Sequence, residues 1–288
     1  MAGLKTKGIV IIAGIHPQYG QMALNLCASL KVTCPEINVC LLHYGSGASH
    51  IRNMFHLFSH VIEIPAEMLN SNGFTSIMRS KVCLYELSPF DETILIDADV
   101  VLSPLKKISN LFEELKDVDF TIGCRSKNDL ETDKVRMIWS SQTDLINKHG
   151  AKEIYNLSSE FIYFKKTKTV EKFFELAKKY FDNPEIEYVR FNGGVADELA
   201  FQIAMHKSKI KPHQVPFLPF YWEQLEKKRL EPNKIYNDYY GYSMGGNTAN
   251  DIMTRVYNNL VKWYGNALGI RTFAFQNKNQ YNDLRKQI

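Results

Sequence analysis

The feature that most constrains this chain is an alternation of short apolar runs and helix-like segments. Residues 8–13 (GIVIIA) form an unbroken apolar run, the pattern of a strand covered on both faces. After a loop at 14–20, residues 21–31 carry Met22, Leu24, Leu26, Cys27 and Leu30 at the spacing of an amphipathic helix. A second buried strand is predicted at 38–43 (NVCLLH), which completes a βαβ opening. The pattern continues with a helix over about 49–58 and a strand at 61–64 that Pro65 ends. A helix at 78–87 runs into Pro89, and strands are expected at 93–96, 120–124 and 160–164. Further helices are expected at 108–115, 170–181, 197–206 and 250–264. The two prolines of 215–220 point to an edge segment.

Such alternation predicts an α/β fold with an open parallel or mixed sheet flanked by helices. At 288 residues the chain is long enough for one large domain or two small ones. Beyond Tyr221 the composition shifts to Tyr, Asn and Lys, so residues 1–220 are expected to form the main domain. Residues 221–288 are expected to form a mainly helical C-terminal subdomain.

Several classes are disfavoured. No Gly-x-Gly-x-x-Gly follows the first strand and no Gly-x-x-x-x-Gly-Lys-Ser/Thr occurs, which argues against dinucleotide oxidoreductases and P-loop enzymes. A net charge of +4 is too weak to diagnose nucleic-acid binding. The five cysteines lack zinc-site spacing and read as buried thiols in a reducing compartment. No signal peptide is visible, and no apolar run approaches the roughly 18 residues of a membrane span. A cytoplasmic protein is expected.

The stretch 93–102 (TILIDADVVL) carries the chemistry. A buried strand delivers Asp97 and Asp99, two residues apart, to its end, where alternation lets both face one point. Converging carboxylates repel unless a cation or donor lies between them. Mg²⁺ and Mn²⁺ take such oxygen ligands and share them with phosphates.

Four blocks of sequence are similar to the GT-A fold nucleotide-diphospho-sugar glycosyltransferases, closest to the glycogenin-like group. The first is Ile11-Ile12-Ala13 with Tyr19 and the helix after it. The second is Leu41-Leu42-His43 with Ser49 and the run 58–62. The third holds Arg79-Ser80-Lys81, Tyr85, Ser88-Pro89-Phe90-Asp91 and Ile96-Asp97-Ala98-Asp99. The fourth pairs the run 158–164 with Asp197-Glu198. Together they span residues 9 to about 205.

The resemblance implies a metal-dependent glycosyltransferase that uses a nucleoside-diphosphate sugar, a UDP-sugar by this likeness, with retention of configuration. It implies that Asp97 and Asp99 hold Mn²⁺ or Mg²⁺, and that Ala13, Gly14, Tyr19 and Ala98 line the nucleotide, with the Tyr19 ring against the base. Arg79 and Lys81 would reach the diphosphate or donor sugar. The turn Asn192-Gly193-Gly194 would approach the ligand closely, and Asp197 or Glu198 would bind sugar hydroxyls or act as base. Glycogenin-like enzymes also carry a C-terminal His-x-x-Gly-x-x-Lys-Pro-Trp stretch, whose His is the third metal ligand. This chain has Tyr242-Ser243-Met244-Gly245-Gly246-Asn247 there. Gly245 and Gly246 could cradle phosphate with backbone N–H groups, and His213 is the nearest upstream candidate for the missing ligand. Glu160 stands where the group has a small Gly.

Two other readings stay open on the sequence. A nucleotidyltransferase making nucleotide-sugars shares the sheet, but usually carries Lys or Arg in the loop that here is Gly14-Ile15-His16-Pro17-Gln18-Tyr19-Gly20. A degenerate sugar-nucleotide-binding protein would keep binding and lose turnover. The acceptor is open among glycan, protein, small molecule and modified DNA.

Overall fold

A computed structural model describes residues 6–127, 147–151, 153–183, 196–217, 239–244 and 251–285. The strands are β1 (Lys7–Ala13), β2 (Asn38–His43), β3 (His60–Glu63), β4 (Asn70–Ser71), β5 (Phe74–Thr75), β6 (Glu92–Ile96), β7 (Val100–Leu102), β8 (Phe120–Lys127), β9 (Tyr155–Lys165) and β10 (Gly241–Ser243). Six of them form a mixed sheet in the order β3-β2-β1-β6-β9-β8, while β4–β5 and β7–β10 are separate pairs. The helices are α1 (Pro17–Thr33), α2 (Arg79–Val82), α3 (Leu84–Leu87), α4 (Asn110–Glu114), α5 (Lys168–Phe181), α6 (Asp197–Ser208), α7 (Asp251–Leu268) and α8 (Lys278–Arg285). The expected α/β class with a mixed sheet and flanking helices is what the chain adopts.

The chain divides into two compact units. The first comprises Met1–Lys7, Glu63–Leu95 and Val118–Val215. Its β8 and β9 are antiparallel, with Phe120 opposite Phe164 and Ile122 opposite Ile162. The register then shifts, and Gly123 lies opposite Ser158, so residues 159–161 fall outside the ladder. A Cβ at Gly123 would lie 2.5 Å from the Ser158 carbonyl oxygen, so this approach requires glycine. Thr167 caps α5 by accepting a hydrogen bond from the Val170 N–H at 3.3 Å. Val170, Phe173, Phe174, Ala177 and Phe181 form its buried face at helical spacing. Phe173 and Phe174 pack against Phe120 and against Phe201 of α6.

The second unit comprises Gly8–Ile62, Ile96–Asp117 and Pro216–Ile288. Here β1 and β2 pair in parallel from Gly8 opposite Asn38 to Ala13 opposite His43. Pro17 starts α1, where a missing N–H costs nothing. Buried Asn25 of α1 donates to the Phe273 carbonyl at 2.6 Å and accepts from its N–H at 3.0 Å. Tyr264 of α7 donates to the Leu102 carbonyl at 2.8 Å. These bonds place the described C-terminal residues in the same unit as the βαβ opening.

Three expected elements differ in form. Residues 78–87 are not one helix: the backbone turns at Cys83 (φ −100°, ψ 9°) between α2 and α3, and the Cys83 N–H bonds back only three residues to Ser80. Ser49–Leu57 is a 3₁₀ helix, in which only Ile51 is buried, so no apolar stripe holds an α-helix there. Strand β9 starts five residues before the expected 160, because its partner β8, and not its own polar run, fixes it. Of the expected edge segment at 215–220, the described part forms no strand, and the rest lies outside the described residues.

Candidate active site

The fully buried strand β6 runs into the acidic pair, and Asp97 and Asp99 belong to the second unit. Asp97 and Asp99 themselves lie in a turn between β6 and β7, closed by the Val100 N–H on the Asp97 carbonyl at 3.1 Å. The alternation of a strand is therefore not what orients them; the turn is. Both carboxylates are half-buried, and Ala98 between them is buried. The turn is braced from its far side by β7 pairing with β10, Val100 opposite Ser243. The Met244 N–H donates to the Asp99 carbonyl at 3.0 Å. Gly245 and Gly246 follow directly and lie outside the described residues, as do Asn192, Gly193 and Gly194.

Two carboxylates in one turn are a hard-oxygen donor set that fits Mg²⁺ or Mn²⁺, ions that keep waters and take phosphate oxygens beside few protein ligands. Among the described residues no third His, Cys, Asp or Glu joins them in a cluster. His213 belongs to the first unit, where its side chain is exposed. Its backbone is held on both sides by Thr121, whose hydroxyl accepts from the His213 N–H and donates to the His213 carbonyl, each at 2.8 Å.

The loop after β1 is also in the second unit. Ala13 is buried and Tyr19 half-buried in the first turn of α1, with its N–H on the His16 carbonyl at 3.0 Å. Gly14 is packed backbone to backbone, since a Cβ at Gly47 would lie 1.8 Å from the Gly14 carbonyl oxygen. His16 Nδ1 and Gln18 Oε1 are buried atoms with no hydrogen bond among the described residues. Neither residue is among the candidates that the sequence suggests. The only available signal was two polar side chains in a loop that follows a buried strand.

The first unit holds a second polar cluster. Lys81 on α2 is 7% exposed and Asp197, the first residue of α6, is 3% exposed. Lys81 Nζ stands 3.9 Å from Asp197 Oδ2. The ammonium donates to the Ser159 hydroxyl at 3.0 Å and to the Ser159 carbonyl at 3.3 Å. The Ser159 hydroxyl and N–H in turn point to Glu198 Oε1, at 3.1 and 3.5 Å. Burial, then the neighbouring Asp197 carboxylate, pushes the Glu198 carboxyl up to about 8, against the lowering effect of Lys81. Asp197 Oδ2 accepts no hydrogen bond among the described residues. Asp197 is not the N-cap of its helix, a position that Ala196 fills.

Arg79 is held differently from its sequence neighbour. Its Nε and NH2 donate to the two oxygens of Asp182 at 2.9 and 2.7 Å, and its NH1 donates to the Met68 carbonyl at 2.8 Å. This guanidinium is a structural clamp for the end of α5. Glu160 accepts from the Ser158 hydroxyl at 3.1 Å.

Comparison with solved structures gives the fold a name. The bifunctional glycosyltransferase WbbM superposes over 93% of this chain and 52% of its own, with a TM-score of 0.62 and 11% identity. The chain thus spans about half the length of that protein. The galactosyltransferase LgtC, solved with donor and acceptor sugar analogues, superposes over 90% of this chain and 95% of its own, with a TM-score of 0.54 and 15% identity. The chain has the GT-A fold of these glycosyltransferases. No protein-family model matches it, and no protein of curated function does.

Proposed function

We propose that this protein is a metal-dependent glycosyltransferase that moves a sugar from a nucleoside-diphosphate sugar, a UDP-sugar, to an acceptor hydroxyl with retention. The observation that carries the reading is the Asp97–Asp99 turn at the end of buried β6, in a chain with the fold of WbbM and LgtC. Asp97 and Asp99 would hold Mn²⁺ or Mg²⁺, and a bound cation there neutralises the charge of a departing nucleoside diphosphate. Tyr19 would lie against the base, and His16 Nδ1 and Gln18 Oε1 offer polar atoms to its edge or to the ribose. Asp197 Oδ2 suits a sugar hydroxyl as donor, and Lys81 Nζ stands 3.9 Å from that oxygen in a buried setting. A cytoplasmic location belongs to the same reading; among the described residues no helix is long and apolar enough to cross a membrane.

The test is a panel of UDP- and GDP-sugars with Mn²⁺, followed by release of nucleoside diphosphate. Wild-type turnover should fall about 100-fold or more in Asp99→Ala, as for loss of a group that stabilises leaving-group charge. Equal metal-dependent turnover in the variant would overturn the metal assignment. Donor binding without release would favour a degenerate binding protein, and pyrophosphate release from a nucleoside triphosphate and a sugar phosphate a nucleotidyltransferase.

A further inference from the structure

We propose that Ser159 is a positioning residue: by receiving a hydrogen bond from Lys81 and giving one to Glu198, it decides which oxygen of Glu198 meets Asp197, the side chain that keeps an oxygen for the ligand. The directions follow from the donor inventory. An ammonium only donates, so Lys81 Nζ gives to Ser159 Oγ at 3.0 Å. A hydroxyl owns one hydrogen, and the Ser159 hydrogen goes to Glu198 Oε1 at 3.1 Å. The Ser159 N–H reaches the same oxygen at 3.5 Å. Glu198 Oε1 is therefore the accepting oxygen, and the proton held by this carboxyl sits on Oε2. The ammonium also polarises the serine hydroxyl and makes it a stronger donor.

The result is an asymmetric pair at the start of α6. Glu198 shares a side-chain hydrogen bond with Asp197, which takes the Oε2 hydrogen, and Asp197, 3% exposed, keeps Oδ2 as an oxygen that accepts no hydrogen bond among the described residues. That acceptor matches a hydroxyl of an uncharged sugar, which can give it a hydrogen bond. Naming the ligand as a neutral hexose rests on the glycosyltransferase reading; the role of Ser159 does not.

The position of Ser159 has a local cause. The register shift opposite Gly123 takes residues 159–161 out of the β8–β9 ladder, and such irregularities re-aim side chains. The charged groups around Glu198 are Asp197 on its own helix and Lys81 on α2. From β9 come the Ser159 hydroxyl and Glu160, the latter engaged with Ser158. Helix α5 meets α6 with the rings of Phe173 and Phe174 on Phe201.

The test pairs Ser159→Ala with Ser159→Thr. Glu198 is titrated by NMR in full-length protein carrying ¹³C-labelled glutamate, with Glu198→Gln identifying its signal. Loss of the donated hydrogen bond should raise the Glu198 pKa by roughly half a unit to one unit in Ser159→Ala, and Ser159→Thr should restore it. Where a donor sugar is hydrolysed, the alkaline limb of the rate profile should move by the same amount. An unshifted titration in Ser159→Ala, or a threonine variant shifted as far as the alanine one, overturns the role. A shifted titration in a protein that hydrolyses no donor supports the role and counts against the glycosyltransferase reading alone.

Discussion

Arg79 and Asp182 are joined by two parallel hydrogen bonds, Nε to Oδ1 at 2.9 Å and NH2 to Oδ2 at 2.7 Å, across 103 positions of sequence. Fork-to-fork pairing of this kind fixes geometry as well as energy. It ties α2 to the end of α5, and Asn72 adds a bond from its amide to the Asp182 carbonyl at 3.0 Å. Both partners are less than one third exposed, so solvent screens them only in part.

Asp182→Ala should therefore cost about 1–3 kcal/mol, because it leaves a half-buried guanidinium without its anion. The exposed pair of Lys211 and Glu153, at 3.0 Å with the lysine side chain 69% exposed, is the contrast. Lys211→Ala should change stability by no more than about 0.5 kcal/mol. Urea unfolding at constant m-value checks both. An Asp182→Ala variant as stable as Lys211→Ala would show that the clamp is not a stabilising feature.

Asn25 supports a second stability prediction, this one local. Its side chain satisfies both the N–H and the carbonyl of Phe273 and also donates to Tyr257 at 3.1 Å, all inside the second unit. Asn25→Ala would strand these groups, at about 1–3 kcal/mol for buried polar groups left unpaired. Hydrogen exchange should quicken at Phe273 and along α7 before it quickens in β1 and β2. Uniform acceleration across the unit would contradict the local anchoring.

How far the sequence reaches can be judged residue by residue. The unbroken run at 8–13 and the spacing of Val170, Phe173, Phe174, Ala177 and Phe181 announce β1 and α5, since period and burial there agree. Asp97 and Asp99 are legible as a pair, but their orientation comes from a turn that period-two reasoning does not contain. Arg79 and Lys81 look alike in sequence, two cations on one predicted helix. Asp182 and Ser159, about 100 and 80 positions further on, separate their roles, and no local pattern signals either partner. The run 158–164 is paired with Asp197-Glu198 in the sequence, but the bonds of Ser159 to Lys81 and Glu198 are not legible there, because a register shift in β9 places it.

The raised carboxyl of Glu198 gives a pH prediction with a definite sign. Its folded value of about 8 lies above the ordinary 4.5, so between these values the folded state binds more protons than the unfolded state. Stability from this group is thus full below about 4.5 and is lost as pH rises towards 8. Glu198→Gln cannot ionise and removes this slope. The melting temperature of the variant relative to wild type should rise steadily from pH 5 to pH 8.5. Parallel curves for the two proteins would show that the carboxyl is already ionised when folded.

Gly47 offers a way to separate the fold from the loop after β1, which is proposed to hold the nucleotide. A Cβ there would stand 1.8 Å from the Gly14 carbonyl oxygen and 2.6 Å from that of Ala13, both backbone atoms that cannot swing aside. Gly20 of α1 approaches Gly47 itself, its own Cβ position 2.2 Å from the Gly47 carbonyl oxygen. Gly47→Ala must therefore push the loop after β1 away, and with it Gly14, His16 and Tyr19. Gly45 is the control for the same loop: it needs a left-handed backbone (φ +57°), but a Cβ there meets nothing within 4 Å. Gly45→Ala should cost about 1 kcal/mol of strain and leave nucleotide affinity near wild type. Gly47→Ala should weaken UDP binding at least 10-fold in calorimetry, about 1.4 kcal/mol, while its far-ultraviolet circular dichroism stays that of the folded chain. Equal UDP affinity in the two variants would remove the loop after β1 from the nucleotide site.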